Sequence, residues 1–424
     1  MTVPPNLNQS PPPTTPKGSG IKLSDLRPYF TGLLPLFLIA HFGHHVVGAM
    51  LNPFMPMIRD ELGLNYTQAG VVISAFSITG GIAQLPAGWL ADRFGARLMI
   101  AISVSGVALA GLLVGLSHSY LALIAFLVLA ALLGGGYHPA AANAISTIIS
   151  PERRGRALGL HLMGGSSAFW VVPLIAAPIA ATWSWHVPFI TLTIPVVVLG
   201  IVLYFLLGRQ QRISQRILKA EYGRVESIKT KIEWRILVPF LVMSVATGTL
   251  TQSVAAYYSL YLVDHFGLLA PTAAALMAVT PAVGVLAAPL GGYLSDRFGG
   301  TSVMIIASLL AGPLLFTMKF VPNVAIFVIV LLLIGGMNMT RMPTSESFLV
   351  SNIPPHRRST MLGIYFFAGA EMSGVLTPFI GRLIDTRGFD TVFTIASVSL
   401  ITIAVVCSIL LWRARRSIQT PGTM

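Results

Sequence analysis

Charged residues are scarce in this chain. They make up 10% of its 424 residues, while 54% are hydrophobic. Soluble domains carry about a quarter charged residues, so a surface facing water cannot be covered by so few. We therefore expect lipid to surround most of the molecule. A helical membrane span needs about 20 mostly apolar residues, and the length accommodates twelve spans with short loops.

Cysteine is nearly absent, because Cys407 in the last apolar segment is the only one. An internal disulfide is therefore excluded. Residues 1–28 are rich in Pro, Ser, Thr and Asn, and they lack the apolar core and cleavage site of a signal peptide. We expect residues 1–31 to form a disordered cytoplasmic tail.

The apolar runs predict an all-α membrane protein with two six-helix bundles. The N-terminal bundle covers 32–208, a basic linker covers 209–234, and the C-terminal bundle covers 235–413, followed by a tail at 414–424. The predicted spans are 32–56, 68–90, 97–117, 120–149, 157–182, 187–208, 236–262, 271–293, 301–318, 322–350, 359–382 and 389–412.

The net charge of +13 raises the possibility of nucleic-acid binding, but the basic residues lie between apolar runs and at the chain ends. The tails, the linker and the even-numbered loops hold 22 of the 27 Lys and Arg residues. The positive-inside rule then predicts that both termini and the linker are cytoplasmic, in a multi-pass protein of the cytoplasmic (inner) membrane. The linker is either a helix lying on the anionic inner leaflet or a solvated tether. We expect no nucleic-acid partner.

An internal repeat divides the chain. The segment 88–95, GWLADRFG, recurs at 292–299 as GYLSDRFG, a displacement of 204. The same displacement aligns Asp60 with Asp264 and Pro139 with Pro343. Six spans separate the copies, so both halves insert with the same orientation, related by a pseudo-two-fold axis along the membrane normal. Secondary transporters have this architecture, with the solute site near the midplane between the halves.

The segment 88–97, GWLADRFGAR, resembles the loop signature between helices two and three of the major facilitator superfamily, and 292–299 resembles its copy between helices eight and nine. The resemblance implies a monomer in which two bundles rock around a central site lined by helices one, four, seven and ten. Within the superfamily, the segment 134–139, GGGYHP, together with His41 is similar to fosmidomycin-resistance-type exporters. The Gly-Pro-rich helix-five signature of many drug/proton antiporters is not clear in this sequence.

The signature residues have two interpretations. The resemblance implies a gate that stabilises the outward-open state, whereas the simpler reading is a turn carrying topology charges. A carboxylate at a helix end can cap a neighbouring helix, and arginine can bridge acids. The predicted gate residues are Gly88, Asp92, Arg93, Gly95, Arg97, Asp296 and Arg297.

Two acidic residues, Glu346 and Glu371, lie inside predicted spans. A bare charge near the midplane is costly, so Glu371 should face water, have a partner or be protonated. Arg341 lies at similar depth. We expect either an Arg341–Glu371 pair that changes partners during transport, with Glu371 as the proton site, or a static ion pair. Glu346 is expected to have a structural role.

Histidines are concentrated on two spans that the resemblance places at the cavity. His41 and His45 share a face of helix one with Asn52, His44 lies beside them, and His138 is on helix four. Imidazole titrates near neutral pH and bonds to polar solutes, so we expect solute or proton contact. Three histidines also suggest a metal, but no carboxylate or cysteine joins them at ligand spacing, so we expect none. Candidate aromatic contacts to the solute, or else packing residues, are Tyr137, Tyr257 and Tyr258.

The leading functional hypothesis is proton-coupled export of an amphipathic drug or metabolite, with no cofactor. The alternative is proton-coupled import of an organic anion, a carboxylate or phosphonate, contacting Arg341 and the histidines. An intramembrane enzyme is disfavoured because no HExxH, paired-carboxylate or Walker-type motif appears. A sensor that does not transport is disfavoured because such proteins usually carry an added signalling domain.

Overall fold

The computed structural model describes residues 34–148, 151–217, 233–353 and 358–419. Fourteen α-helices account for almost all of this part of the chain. They are α1 Leu34–Leu62, α2 Tyr66–Phe94, α3 Ala96–Gly115, α4 Tyr120–Gly134, α5 Tyr137–Ile148, α6 Pro151–Thr182, α7 His186–Ile217, α8 Trp234–Ala255, α9 Tyr258–Phe266, α10 Ala270–Leu276, α11 Val279–Phe298, α12 Gly300–Thr317, α13 Val324–Asn352 and α14 Arg358–Gln419.

The predicted spans are helical, but their division differs from the sequence prediction. Spans four, seven and eight are each split into two helices, whereas spans eleven and twelve are joined in α14. Within α14 the apolar stretch Phe367–Arg416 has 50 residues. At 1.5 Å per residue it is about 75 Å long, more than twice the roughly 30 Å hydrocarbon core. Gly388, with φ of 76°, breaks the helical geometry within this stretch, so α14 consists of two helices joined by a kink.

Among the described residues, nine helical stretches have the length and apolarity to cross a membrane. Two further stretches, Ala270–Gly284 and Val324–Asn338, are apolar and helical but shorter. Many large apolar side chains on these helices face outward, including Leu85, Phe205 and Phe379. Lipid is the solvent that accepts such a surface, so the fold is that of a polytopic membrane protein.

The internal repeat reappears in the backbone. Gly63 and Gly267, which are 204 positions apart, have φ values of 62° and 67°, and Gly95 and Gly299 have values of 84° and 82°. Positive φ strains residues with a Cβ, so glycine is required at these helix ends. The two halves therefore turn the chain in the same way at equivalent loops.

Each half packs its helices in pairs, and two seams join the halves. In the first half α1 packs along α6 and α3 along α7, while in the second α8 packs along α14 and α11 along α13. Across the halves, α2 packs along α14. In the second seam, α1 packs on α9 and α10, and α6 packs on α10 and α11.

Two helices extend beyond the predicted domain limits, which stay predictions. Helix α7 continues to Ile217, beyond the predicted end of the first bundle at 208, and α14 continues to Gln419, beyond 413. The first part of the predicted linker is therefore a helical extension of α7. Residues 218–232 and the predicted tail 1–31 lie outside the described residues.

Candidate functional site

A cavity of about 520 Å³ lies between the two halves. Ligand cavities typically have volumes of about 300–1,000 Å³, mostly apolar walls and a few polar groups. This cavity follows that pattern, because glycines, alanines and phenylalanines surround a small set of polar side chains. The polar and aromatic lining residues are His44, His45, Asn52, Phe76, Ser77, Gln84, His138, Phe169, Ser244, Thr249, Gln252, Arg341, Tyr365 and Ser373.

Five of the predicted contact residues line the cavity: His44, His45, Asn52, His138 and Arg341. They come from α1, α5 and α13, so both halves contribute. Sequence reasoning missed other lining residues. Some lie on an expected helix, such as Gln252 on α8, and others lie on helices outside the expected set, such as Phe76 on α2, Phe169 on α6 and Ser373 on α14.

The remaining candidate aromatics pack inside the protein. Tyr137 is fully buried and donates from its hydroxyl to the Phe37 carbonyl at 3.1 Å. Tyr257 donates to the Thr377 carbonyl at 2.7 Å. Tyr258 is 3% exposed and is absent from the cavity lining. In this conformation these three tyrosines have the packing role that the sequence left as the alternative.

The histidines form one continuous cluster. His41 is buried beneath the cavity wall, its Nε2 lies 3.1 Å from His45 Nε2, and its Nδ1 lies 2.8 Å from the His161 carbonyl oxygen. His138 meets His41 edge-on, with ring centroids 5.1 Å apart. His161, which sequence reasoning did not select, stacks on His41 at 4.2 Å. Its position on α6 carried no signal, because the expected cavity helices did not include that one.

Arg341 is held by hydroxyl and carbonyl groups of its own half. Its Nη1 donates to the Ser244 carbonyl at 2.8 Å and to Ser244 Oγ at 3.1 Å, and it lies 3.4 Å from Tyr365 Oη. Among the described residues, Arg341 and Glu371 do not form an ion pair with an N···O distance of 4 Å or less. The prediction of an Arg341–Glu371 contact is therefore wrong for this conformation. The two side chains have similar depth but project from their helices toward different neighbours.

Glu371 lies where α14 meets α2, between the two halves. A Cβ added at Gly81 would come within 3.1 Å of Glu371 Cδ, so the carboxyl group packs directly on the α2 backbone. Its Oε1 is buried and has no hydrogen-bond partner among the described residues. An ionised carboxylate without a partner is costly inside a membrane. The side chain of Glu346 lies outside the described residues.

The predicted gate residues are only partly described. Arg93 lies over the Trp89 ring at 5.4 Å, Arg97 stacks on Tyr204 at 3.8 Å, and Arg297 donates to Tyr293 Oη at 3.0 Å. The structure does not describe the side chains of Asp92 and Asp296 or the surroundings of Gly88. The gate function stays a prediction. What the structure adds is that Arg97 is fixed to α7 of its own half.

Polar contacts join the halves at one end of the bundle, which we call the closed end and define as residues 59–74, 257–264 and 374–385. Arg59 of α1 makes a two-point ion pair with Asp264 of α9, with one contact of 2.8 Å between Nη2 and Oδ1. Tyr66 also donates to Asp264 from its hydroxyl. Asp385 of α14 accepts from the backbone N–H groups of Tyr66 at 3.0 Å and Thr67 at 2.9 Å, which places a carboxylate at the N-terminus of α2.

The local sequence explains how these groups are positioned. Asn65 and Gln68 form a reciprocal capping box that fixes the start of α2. Burial raises the pKa of Asp264, but the hydrogen bonds from Arg59 and Tyr66 outweigh that effect and hold the pKa below its usual value near 3.8. The carboxylate is therefore ionised at neutral pH. Sequence reasoning aligned Asp264 with Asp60 in the repeat but did not identify it as a contact between halves.

Comparison with known proteins gives consistent results. The family model of the Major Facilitator Superfamily matches residues 37–370 and 240–423. The chain is 30% identical over 375 residues to the multidrug resistance protein MdtG of Citrobacter koseri, covering 85% of this chain and 90% of that protein. It is 28% identical over 376 residues to MdtG of Escherichia coli.

Solved structures of low sequence identity share the fold. A bacterial homologue of the human lysosomal transporter Spinster matches with a TM-score of 0.72 at 15% identity, covering 92% of this chain and 97% of that chain. A POT family transporter in complex with a thioalcohol-conjugated peptide matches with a TM-score of 0.75 at 14% identity, covering 91% and 98%. Taken with the twofold repeat and the cavity between the halves, these matches show that the chain belongs to the major facilitator superfamily of membrane transporters.

Proposed function

We propose that the protein exports a small amphipathic drug or metabolite in exchange for protons, by alternating access of the central cavity. The cavity between the halves carries the proposal, because its volume and mixed lining suit such a cargo and because polar contacts shut one of its ends. The curated relatives are multidrug resistance proteins, which agrees with export and with transport rather than enzymatic activity.

The orientation follows from the charge distribution. The positive-inside rule places the termini in the cytoplasm, and α1 runs from that side to the closed end. The closed end then faces the outside of the inner membrane, and the cavity is reached from the cytoplasm. A cargo entering from this side is released outward once the contacts of the closed end separate. We propose that the chain does this as a monomer with twelve spans.

Glu371 is the proposed proton site. It lies at the seam between α2 and α14, so its environment changes whenever the halves move relative to each other. Protonation matches the packed conformation, in which a carboxylate oxygen is buried without a partner. Separation of α2 from α14 at the closed end exposes the carboxyl group to water outside, where it takes up a proton. Release then follows on the cytoplasmic side, through the cavity, so that the proton moves opposite to the cargo.

Import of an organic anion is the second candidate, and one observation favours it. Among the described cavity-lining residues, Arg341 is the one with a permanent charge, and its Nε has no hydrogen-bond partner in the described part of the chain. A carboxylate or phosphonate is a fitting partner for that guanidinium. That the protein works like the fosmidomycin-resistance-type exporters stays a prediction, and the flux assay described next tests it.

Flux in proteoliposomes with an imposed pH gradient tests both candidates. If export is coupled to protons, a fluorescent amphipathic drug should move against its own concentration gradient toward the acidic compartment. Glu371→Gln should remove the dependence of this flux on the pH gradient. Uptake of a phosphonate together with protons supports the second candidate. Flux of either cargo that is equal with and without a pH gradient contradicts coupling in both.

A further inference from the structure

Three imidazoles from two helices converge beside the cavity. His41 and His45 are one turn apart on α1, His138 comes from α5, and one ring nitrogen of each lies within 4.8 Å of the others. The closest pair, His41 Nε2 and His45 Nε2, is 3.1 Å apart. Two imidazoles on one tetrahedral Zn²⁺, with Zn–N bonds of about 2.0–2.1 Å, place their nitrogens about 3.3 Å apart. This pair is therefore near ligand spacing.

The tautomer of His41 suits a metal ligand. Its Nδ1 lies 2.8 Å from the backbone carbonyl oxygen of His161, and a carbonyl only accepts. Nδ1 therefore carries the hydrogen, and in the neutral ring Nε2 presents its lone pair to His45. Metal-binding histidines commonly donate their other ring N–H to a backbone carbonyl in this way. The His161 ring stacks on His41 with an interplanar angle of 19° and fixes its orientation.

The cluster also has an entry path and an open side. His41 is buried, whereas His45 and His138 line the cavity, so an ion approaches through the cavity. Three histidines plus one exchangeable position is a known coordination of Zn²⁺. Neutral imidazoles leave the charge of the ion uncompensated, so the fourth position favours an anionic group, such as a carboxylate or phosphonate in the cavity.

We propose that His41, His45 and His138 bind a divalent transition-metal ion such as Zn²⁺, with the fourth coordination position open to the cavity. The sequence led us to expect no metal because no carboxylate or cysteine lies at ligand spacing along the chain. The fold supplies a third imidazole from another helix. The inference concerns binding and does not depend on the direction or coupling of transport.

Titration of the purified protein with Co²⁺ in detergent tests the site, because tetrahedral Co²⁺ with nitrogen ligands absorbs strongly in the visible range. Glu61, His118 and His186 form a second potential site. The experiment is therefore done in a Glu61→Gln/His118→Ala background. We expect one tetrahedral Co²⁺ per chain, displaced by Zn²⁺.

Matched variants locate the ion. His138→Gln and His45→Gln are expected to weaken binding by more than the roughly 10–100-fold that loss of an outer hydrogen-bond partner costs. His161→Phe retains a stacking ring and the backbone carbonyl, so it is expected to bind Co²⁺ with affinity within about 10-fold of the background. Thermal unfolding of each variant in detergent, without metal, verifies the fold.

Several results overturn the proposal. One is an octahedral Co²⁺ spectrum, or no Co²⁺ binding at all, for the folded background protein. The 3.1 Å contact between His41 and His45 is then a hydrogen bond in which the two rings share a proton. Another is a tetrahedral spectrum that persists in both glutamine variants, which places the ion elsewhere. Equal loss in the His161→Phe variant and the glutamine variants also contradicts direct coordination by these three residues.

Discussion

Gly70 offers a direct way to perturb the closed end. It lies on α2 facing α14, and a Cβ at this position would overlap Tyr257 Oη. The same atom would come within 2.9 Å of Pro378 Cα and 3.1 Å of the Thr377 carbonyl oxygen. Because two of these three neighbours are backbone atoms, they cannot rotate away as the end of a side chain does. Gly70→Ala therefore forces α2 and α14 apart at the closed end.

The expected size of the effect follows from packing. Inserting a methyl group into a tight contact costs about 1–3 kcal/mol. If that cost applies to the closed conformation alone, the ratio of closed to open molecules falls by about 5-fold to 150-fold. The substitution should thus favour opening of the closed end without removing any cavity-lining side chain.

Cysteine labelling measures this shift. Cys407, the only native cysteine, is replaced by alanine, and Ser259→Cys provides a reporter. Ser259 is fully buried and donates to the Asn52 carbonyl across the two halves at 2.7 Å, so closure protects it. We expect a membrane-impermeant maleimide added outside to label the reporter faster, by a factor in the above range, when Gly70→Ala is present.

The control is Gly80→Ala on the same helix. There the nearest atom to an added Cβ is Ala131 Cβ at 4.0 Å, which is ordinary contact. Labelling of the reporter should match that of the parent. An unchanged labelling rate in Gly70→Ala, or the same acceleration in Gly80→Ala, would refute the argument that the α2–α14 seam controls closure.

Three further substitutions give independent tests. Gly81→Ala displaces the carboxyl group of Glu371, so it should change the pH dependence of flux in proteoliposomes. The adjacent Gly80→Ala should leave that pH dependence unchanged. Asp264→Asn removes a two-point ion pair, worth about 1 kcal/mol at this half-exposed position, and should speed labelling at the closed end more than Asp60→Asn, whose carboxylate is exposed. Because the pKa of Asp264 lies below its usual value, its contribution is complete above about pH 5 and is lost as the pH falls through the lowered pKa. Closure should therefore not vary between about pH 5 and 8 from this cause. Gly164→Ala places a Cβ 2.9 Å from the Cα of Leu38 on α1. It should destabilise the folded protein by about 1–3 kcal/mol, measured as a lower thermal unfolding midpoint in detergent.

The architecture was readable from the sequence because apolar length and repeat spacing determine it. Helical spans, the pairing of halves and the glycines that end equivalent helices all follow from patterns of one or two dozen residues. The division of individual spans was not readable. The break between α8 and α9, at Ala256 and Tyr257, for example, lies where the sequence has neither glycine nor proline to announce it.

The site was predicted in part. The family resemblance placed helices one, four and ten at the cavity, and His44, His45, His138 and Arg341 on those helices line it. The cost of polar residues inside a membrane agrees with this position. Partner choice was the part that failed. Depth along two helices does not give the direction of a side chain, and Arg341 found hydroxyl and carbonyl groups on α8 rather than the carboxylate expected from α14.

Asn52 lines the cavity and joins the halves through two different groups. Its backbone carbonyl accepts the hydrogen bond from Ser259 that ties the halves together, while its side chain lines the cavity. Every amino acid supplies that carbonyl, so a mutation at position 52 alters the chemistry seen by the cargo and leaves this tie in place. Cargo preference can therefore drift during evolution, or be re-engineered, at a position whose structural duty is carried by the main chain alone.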